Sequence, residues 1–248
     1  MVASATWDAL GTWCEVLTVH DDDLPELAEL ARDRVDAVDA ACARPDSELA
    51  SLTPGHPQHV SPVLGLALAA ALRTAEFTGG LVAPAPGWRT VSLDLGQDSL
   101  TVPEGVDLEL RPGVRAWAAD WVADACESEL GIGCLVNLGG DIAVRGEVPD
   151  GGWQVEIDDG HPGPLGRPVI SMGWPGGLAT ASAGTGTWRT VTVAARNTER
   201  AHAAATAALA LGDSAPRWLT QRELPARLVH TGGVVVQTNG WPQHRWIA

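Results

Sequence analysis

Two strand-like runs split by a pair of glycines constrain this chain more than any other feature: Leu135-Val136-Asn137-Leu138-Gly139-Gly140-Asp141-Ile142, within CLVNLGGDIAVRG. Gly-Gly accepts the positive φ that a two-residue hairpin turn demands, so the segment predicts a chain that doubles back into antiparallel strands. The same bare backbone would let a phosphate or ribose approach closely, with the Asp141 carboxylate free to accept hydroxyl hydrogen bonds. The two readings are compatible.

The rest of the pattern extends that frame. Thr12 to Val19 is rich in β-formers and stops at His20-Asp21-Asp22-Asp23, which predicts a strand. A helix should follow, because Leu24, Leu27, Leu30, Ala31, Val35 and Val38 recur at helical spacing behind a capping-box pattern, Asp23 with Glu26. Ser61-Pro62 supplies an N-cap and an N1 proline for a second helix that Thr78-Gly79-Gly80 ends. Two prolines in Leu81 to Trp88, Pro84 and Pro86, bar a central strand, whereas Thr90 to Leu95 and Ser99 to Val102 read as a hairpin around Gly96-Gln97. A third helix begins near Val114, with Trp117, Ala118, Trp121, Val122 and Ala125 on one face, and ends near Gly131.

After it come strands at Cys134 to Leu138, Ile142 to Arg145, Trp153 to Ile157, Val169 to Met172 and Thr190 to Ala194. An Ala-rich helix from Glu199 to Leu211 and strands at Arg227 to His230 and Val234 to Thr238 complete the chain. Strands and helices segregate into two similar α+β groups, about 1–105 and 106–248, within one domain of 248 residues. The prediction is α+β, not a doubly wound parallel sheet.

Composition narrows the function classes. There are 31 acidic residues against 16 basic ones, all of them Arg, so a cationic surface for nucleic acid is hard to assemble. No stretch approaches the roughly 20 apolar residues of a membrane span, and the N-terminus lacks the pattern of a signal peptide; a cytoplasmic protein is expected. Cys14, Cys42, Cys126 and Cys134 form no CxxC pair and read as buried thiols. His56 and His59 sit in a Pro-rich loop and read as solvated.

The glycine turn, VNLGGDI, resembles the signature turn of the ApbE-type FAD:protein FMN transferases. Other segments agree. Gly11-Thr12 resembles the family's opening Met-Gly-Thr strand, and Arg44-Pro45-Asp46-Ser47-Glu48-Leu49 its RPDSELSRLN loop. Val60-Ser61-Pro62 through Thr78-Gly79-Gly80 resembles its VSPEL…TGG helix, and Leu178-Ala179-Thr180-Ala181-Ser182 its ALATSG turn. The resemblance implies a duplicated T-fold-like architecture of antiparallel sheets with helices packed on one face, binding FAD between its halves. It also implies a magnesium-assisted attack by a Thr or Ser hydroxyl of a target flavoprotein on the FAD pyrophosphate. Carried over position by position, it marks Asp46, Ser47, Glu48, Arg115, Gly139, Gly140, Asp141 and Thr180 for the nucleotide and Thr206 for the metal. On their own, Asp46 and Glu48 read as turn and helix-cap groups, not as an acid/base pair.

The departures fall where the chemistry would lie. The family's DLGGIAKG reads Glu109-Leu110-Arg111-Pro112-Gly113-Val114-Arg115-Ala116, and the acidic residue of its TGGAFDP stretch reads Ala83. His202 stands where its helix carries a metal-binding Asp; imidazole is a poor ligand for magnesium, and His202 reads instead as a surface or capping residue. The loop with the family's catalytic His is missing between Ser182 and Thr190. Positioning and electrostatics fail when their charged parts are absent. The expectation is therefore a homologue that binds FAD or a related flavin nucleotide without the usual catalysis, an active FMN transferase being the alternative.

Overall fold

The computed structural model describes residues 2–158, 167–238 and 240–242, and the backbone of 245–247. Its first elements are β1 (Ala3–Ala9), β2 (Thr12–Thr18), α1 (Leu24–Val38), β3 (Gln58–His59), α2 (Pro62–Thr78), β4 (Ser92–Asp94), β5 (Ser99–Thr101) and α3 (Arg111–Ala125). They are followed by β6 (Cys134–Leu138), β7 (Asp141–Arg145), β8 (Trp153–Glu156), β9 (Arg167–Met172), β10 (Gly176–Ser182) and β11 (Trp188–Ala195). The last are α4 (Thr198–Leu211), α5 (Ala215–Gln221), β12 (Ala226–His230), β13 (Val235–Thr238) and β14 (Arg245–Ile247).

Eight strands form one antiparallel sheet in the order β1-β2-β6-β7-β10-β11-β12-β13. The helices cover one of its faces. Cys14 and Val16 of β2 and Val136 and Leu138 of β6 pack there with Leu27, Val35 and Val38 of α1, Leu64 and Leu68 of α2, and Val122 of α3. Further along, Val191 and Val193 meet Ala204, Ala205 and Ala208 of α4 and Leu219 of α5. A small sheet, β14-β9-β8, covers part of the opposite face, where Leu135, Ile142 and Leu178 pack with Trp153, Val155, Ile170 and Met172. Both faces of β7 are thus buried, whereas β2 alternates buried residues with exposed or half-buried ones. The expected division near residues 105 and 106 falls in the connection between β5 and α3.

Local signals fix several boundaries. The Ser61 hydroxyl accepts the Leu64 N–H at 3.2 Å and Pro62 sits in the first turn of α2. Gly79 ends that helix at φ 67°. The capping box before α1 does not form: Asp21–Asp23 make a 3₁₀ turn, and Asp23 has helical φ and ψ of −81° and −20° with no side-chain cap bond. An N-cap needs an extended backbone to turn its side chain onto the helix, and Asp23 lacks it.

One further expectation fails, and two elements had none. Leu178 to Ser182 is not a turn but the interior of β10, paired with both β7 and β11 over Leu178. Its Ala and Thr residues give no apolar alternation, so tertiary pairing decides the conformation. The edge strand β1 and the short helix α5 carry no periodic signal that the sequence reading used. No helix among the described residues is long and apolar enough to cross a membrane.

Candidate functional site

The Gly-Gly turn is a two-residue hairpin. Leu138 pairs with Asp141 across it, and Gly139 and Gly140 take φ of 66° and 94°, the signs a type I′ turn needs. The Asn137 side-chain oxygen accepts the Gly140 N–H at 2.8 Å, and Gly139 N–H donates to the Trp13 carbonyl at 3.0 Å. A Cβ on Gly139 would run into the Thr12 side chain, whereas Gly140 faces open space. Packing therefore explains Gly139, and the turn geometry together with an open approach explains Gly140.

That turn borders a cavity of about 880 Å³ between the eight-stranded sheet and the small sheet. Alternation along the strands sends Trp13, Glu15 and Leu17 of β2, Asn137 of β6 and Thr180 of β10 into it. Leu135, Ile142, Leu178 and Trp153 give it an apolar floor; among the described residues Glu15, Asp150, Glu156, Asp158 and Arg167 lie on its walls. Burial raises the Glu15 carboxyl above its ordinary value. The Thr180 and Thr192 hydroxyls bond each other at 2.9 Å. A cavity of this size, apolar with a few convergent polar groups, is the usual form of a small-molecule site.

The other residues marked from the sequence lie elsewhere. Asp141 starts β7 with its side chain on the helix side of the sheet, 4% exposed, where its Oδ1 meets His202 Nδ1 at 2.9 Å and its Oδ2 lies 4.0 Å from Arg115 Nε. His202 is therefore not a surface or capping residue. Its ring is largely buried beneath α3, because the Ala-rich face of α4 presses against the sheet and carries position 202 inward. Burial disfavours the charged imidazole, but the charge and hydrogen bond of Asp141 outweigh that and hold His202 above its ordinary value; the Arg115 charge opposes and the Pro112 carbonyl adds. The buried Nε of Arg115 has no hydrogen-bond partner among the described residues.

Asp46, Ser47 and Glu48 form a third location. The Glu48 carboxylate accepts the Ser61 N–H at 2.6 Å and the Ser61 hydroxyl at 2.5 Å, tying the loop to the start of α2. Ser47, buried, accepts the Ala50 N–H at 3.3 Å. Ser47 borders a separate cavity of about 350 Å³ with Asp107, Glu109 and Arg111. So Gly139, Gly140 and Thr180 share the large cavity, Asp141, Arg115 and His202 meet at the same sheet end on the helix side, and the Asp46 loop stands apart. Glu15, Asn137 and Arg167 escaped the sequence reading; the period of two along β2 and β6 was the signal for the first two.

A divalent cation does not fit the residues around Asp141. Magnesium asks for several oxygen donors, yet Asp141 is the sole carboxylate engaged there and two basic side chains flank it. Thr206 adds a hydroxyl one turn along α4 from His202. Among the described residues no group of three or more His, Cys, Asp or Glu could hold a metal ion.

The family model described as ApbE family matches residues 82–185, which include Arg115, the Gly-Gly turn, Asp141 and Thr180. Over that stretch the chain is similar to the ApbE family. Its fold is that of solved ApbE proteins. The flavinyl transferase ApbE of Pseudomonas stutzeri, in its apo form, superposes with a TM-score of 0.82 at 19% identity, over 96% of this chain and 94% of that one. The ApbE protein of Thermotoga maritima gives 0.83 at 16% identity, over 98% and 100%, and the flavin transferase ApbE of Vibrio cholerae 0.79 at 18%, over 97% and 98%. Compared by sequence with curated proteins, the chain matches none. Within the ApbE fold, the connection where the family's catalytic His loop was expected to be missing is residues 183–187, which close β10 directly onto β11.

Proposed function

We propose that this protein binds a flavin nucleotide in the cavity beside Gly139 and Gly140 and does not transfer FMN from it. The observation that carries the reading is the cavity itself: about 880 Å³, with an apolar floor of Leu135, Ile142, Trp153 and Leu178 and an open backbone approach at Gly140. A flat ring system suits that floor. A pyrophosphate does not suit the acidic wall of Glu15, Asp150, Glu156 and Asp158, so its place is the sheet end, where Gly140 leaves room and Arg115 holds a buried N–H without an acceptor. The solved relatives carry the name flavin or flavinyl transferase, which points to the same ligand class.

Transfer would require a group that withdraws the acceptor hydroxyl proton and a cation that neutralises charge on the pyrophosphate. The short β10–β11 connection supplies no His, and His202 is bonded to Asp141 in the interior. When FAD is bound, the flavin would supply its ring chemistry; this chain's residues bind it and exclude water from its apolar side.

Calorimetric titration tests the reading. FAD should bind, and FMN and ADP should each bind more weakly because each presents only part of the ligand. Thr180→Phe, which projects a ring into the cavity, should weaken binding at least about tenfold while circular dichroism stays unchanged. Absence of binding by all three ligands would sink the proposal.

A further inference from the structure

We propose that the sheet-end site places Arg115 and His202 against Asp141 where a divalent metal would sit and so excludes it, and that a phosphate-bearing ligand binds there without magnesium. The juxtaposition is specific. Both oxygens of the Asp141 carboxylate face basic side chains, His202 Nδ1 at 2.9 Å and Arg115 Nε at 4.0 Å, and among the described residues no second acidic side chain pairs with either of them there. A metal would need that carboxylate free and would have to sit beside a guanidinium, which stays charged at any accessible pH. Three elements fix the arrangement: β7 through Asp141, α3 through Arg115 and α4 through His202.

The arrangement is also incomplete in a way that suits an anion. Arg115 Nε is buried and lacks a hydrogen-bond acceptor among the described residues, and a buried donor left unpaired is costly. A phosphate oxygen would satisfy it, and an arginine recognises phosphate through directed N–H bonds. Thr206, the position that the family resemblance assigns to the metal, lies one turn along α4 from His202 and would have to coordinate past that ring. The inference rests on the flavin-nucleotide reading for the identity of the anion, but its exclusion of metal stands on the side chains alone.

Two measurements separate these parts. Manganese, used as a paramagnetic stand-in for magnesium, is titrated into the nucleotide-free protein by electron paramagnetic resonance. No bound Mn²⁺ is expected below millimolar concentration, and stoichiometric micromolar binding would overturn the inference. The double variant Arg115→Ser with His202→Asp, checked for folding by circular dichroism, should bind Mn²⁺ at least about tenfold more tightly than the unaltered chain. A folded variant without that gain would show that these two side chains are not what excludes the metal. FAD affinity is then compared in excess chelator and in excess magnesium. Agreement within about twofold is expected, and a loss beyond about tenfold in chelator would overturn the inference. If FAD binds under neither condition, the flavin-nucleotide reading fails while the manganese titration still decides the exclusion of metal.

Discussion

His202 shows how far a single side chain departs from what its neighbours in sequence suggest. On an Ala-rich helix it reads as a solvated polar residue, yet it is buried and hydrogen-bonded to Asp141 from 61 positions away. Nothing in one sequence could announce that pairing. Its folded pKa is raised, so its stabilising contribution is fully present below the unfolded value of 6.5 and is lost as pH rises through the higher folded value. The difference in melting temperature between the unaltered protein and His202→Gln should therefore shrink as pH rises from about 6 to about 8.5. A difference independent of pH would show that the pair carries no titrating charge. The thiols behave oppositely: burial pushes Cys14 up to about 11 and Cys42 up to about 12. Neither should react with a disulfide reagent at neutral pH until the protein is unfolded, and rapid modification of the folded protein would contradict their burial.

At the scale of elements, the most consequential device is the start of α4. Asp120, buried on α3, accepts the Thr198 and Glu199 N–H groups at 2.9 and 2.8 Å and pairs with Arg145 at 3.1 Å. Asn197 accepts the Arg200 N–H at 3.2 Å, so the free donors of the first turn have partners from two sources. One carboxylate thus locks α3, β7 and α4 together. Asp120→Ala should cost about 3–5 kcal/mol in urea unfolding, since it leaves Arg145 buried without that partner; a cost below about 1 kcal/mol would mean that Arg145 is served by Asp124 alone. Gly177 lets the same helix approach β10, because a Cβ there would overlap the backbone of Thr198. Gly177→Ala should destabilise by about 1–3 kcal/mol, read from the same unfolding curves, and a neutral effect would show that the contact yields easily.

These elements also mark what the sequence made legible. The helix α2 announces itself through Ser61, Pro62 and Gly79, because caps and turns are local chemistry. The hairpin at Gly139 and Gly140 is legible for the same reason. The capping role of Asp120 was not, since its partners lie 78 and 79 residues away, and β10 was mistaken for a turn because small residues carry no period. For the candidate site, the glycine turn and Thr180 could be placed from the family resemblance, whereas the wall of Glu15, Asp150 and Arg167 depends on the small sheet folding over the large one.

For the whole molecule, the ApbE fold holds a cavity of about 880 Å³ beside the Gly-Gly turn, and the proposed function is binding without transfer. The sheet end that the family resemblance assigns to metal is occupied by an internal ion pair, and the connection that would carry a catalytic His is five residues long, 183–187. On the proposed function, the protein should bind its ligand and leave it intact. The most direct measurement is to incubate the protein with FAD, magnesium and a Ser- or Thr-containing acceptor protein, then quantify AMP and recovered FAD chromatographically. FAD should stay on the protein and be recovered intact, with AMP at the level of a protein-free control; AMP released in step with a flavinylated acceptor would overturn binding without transfer.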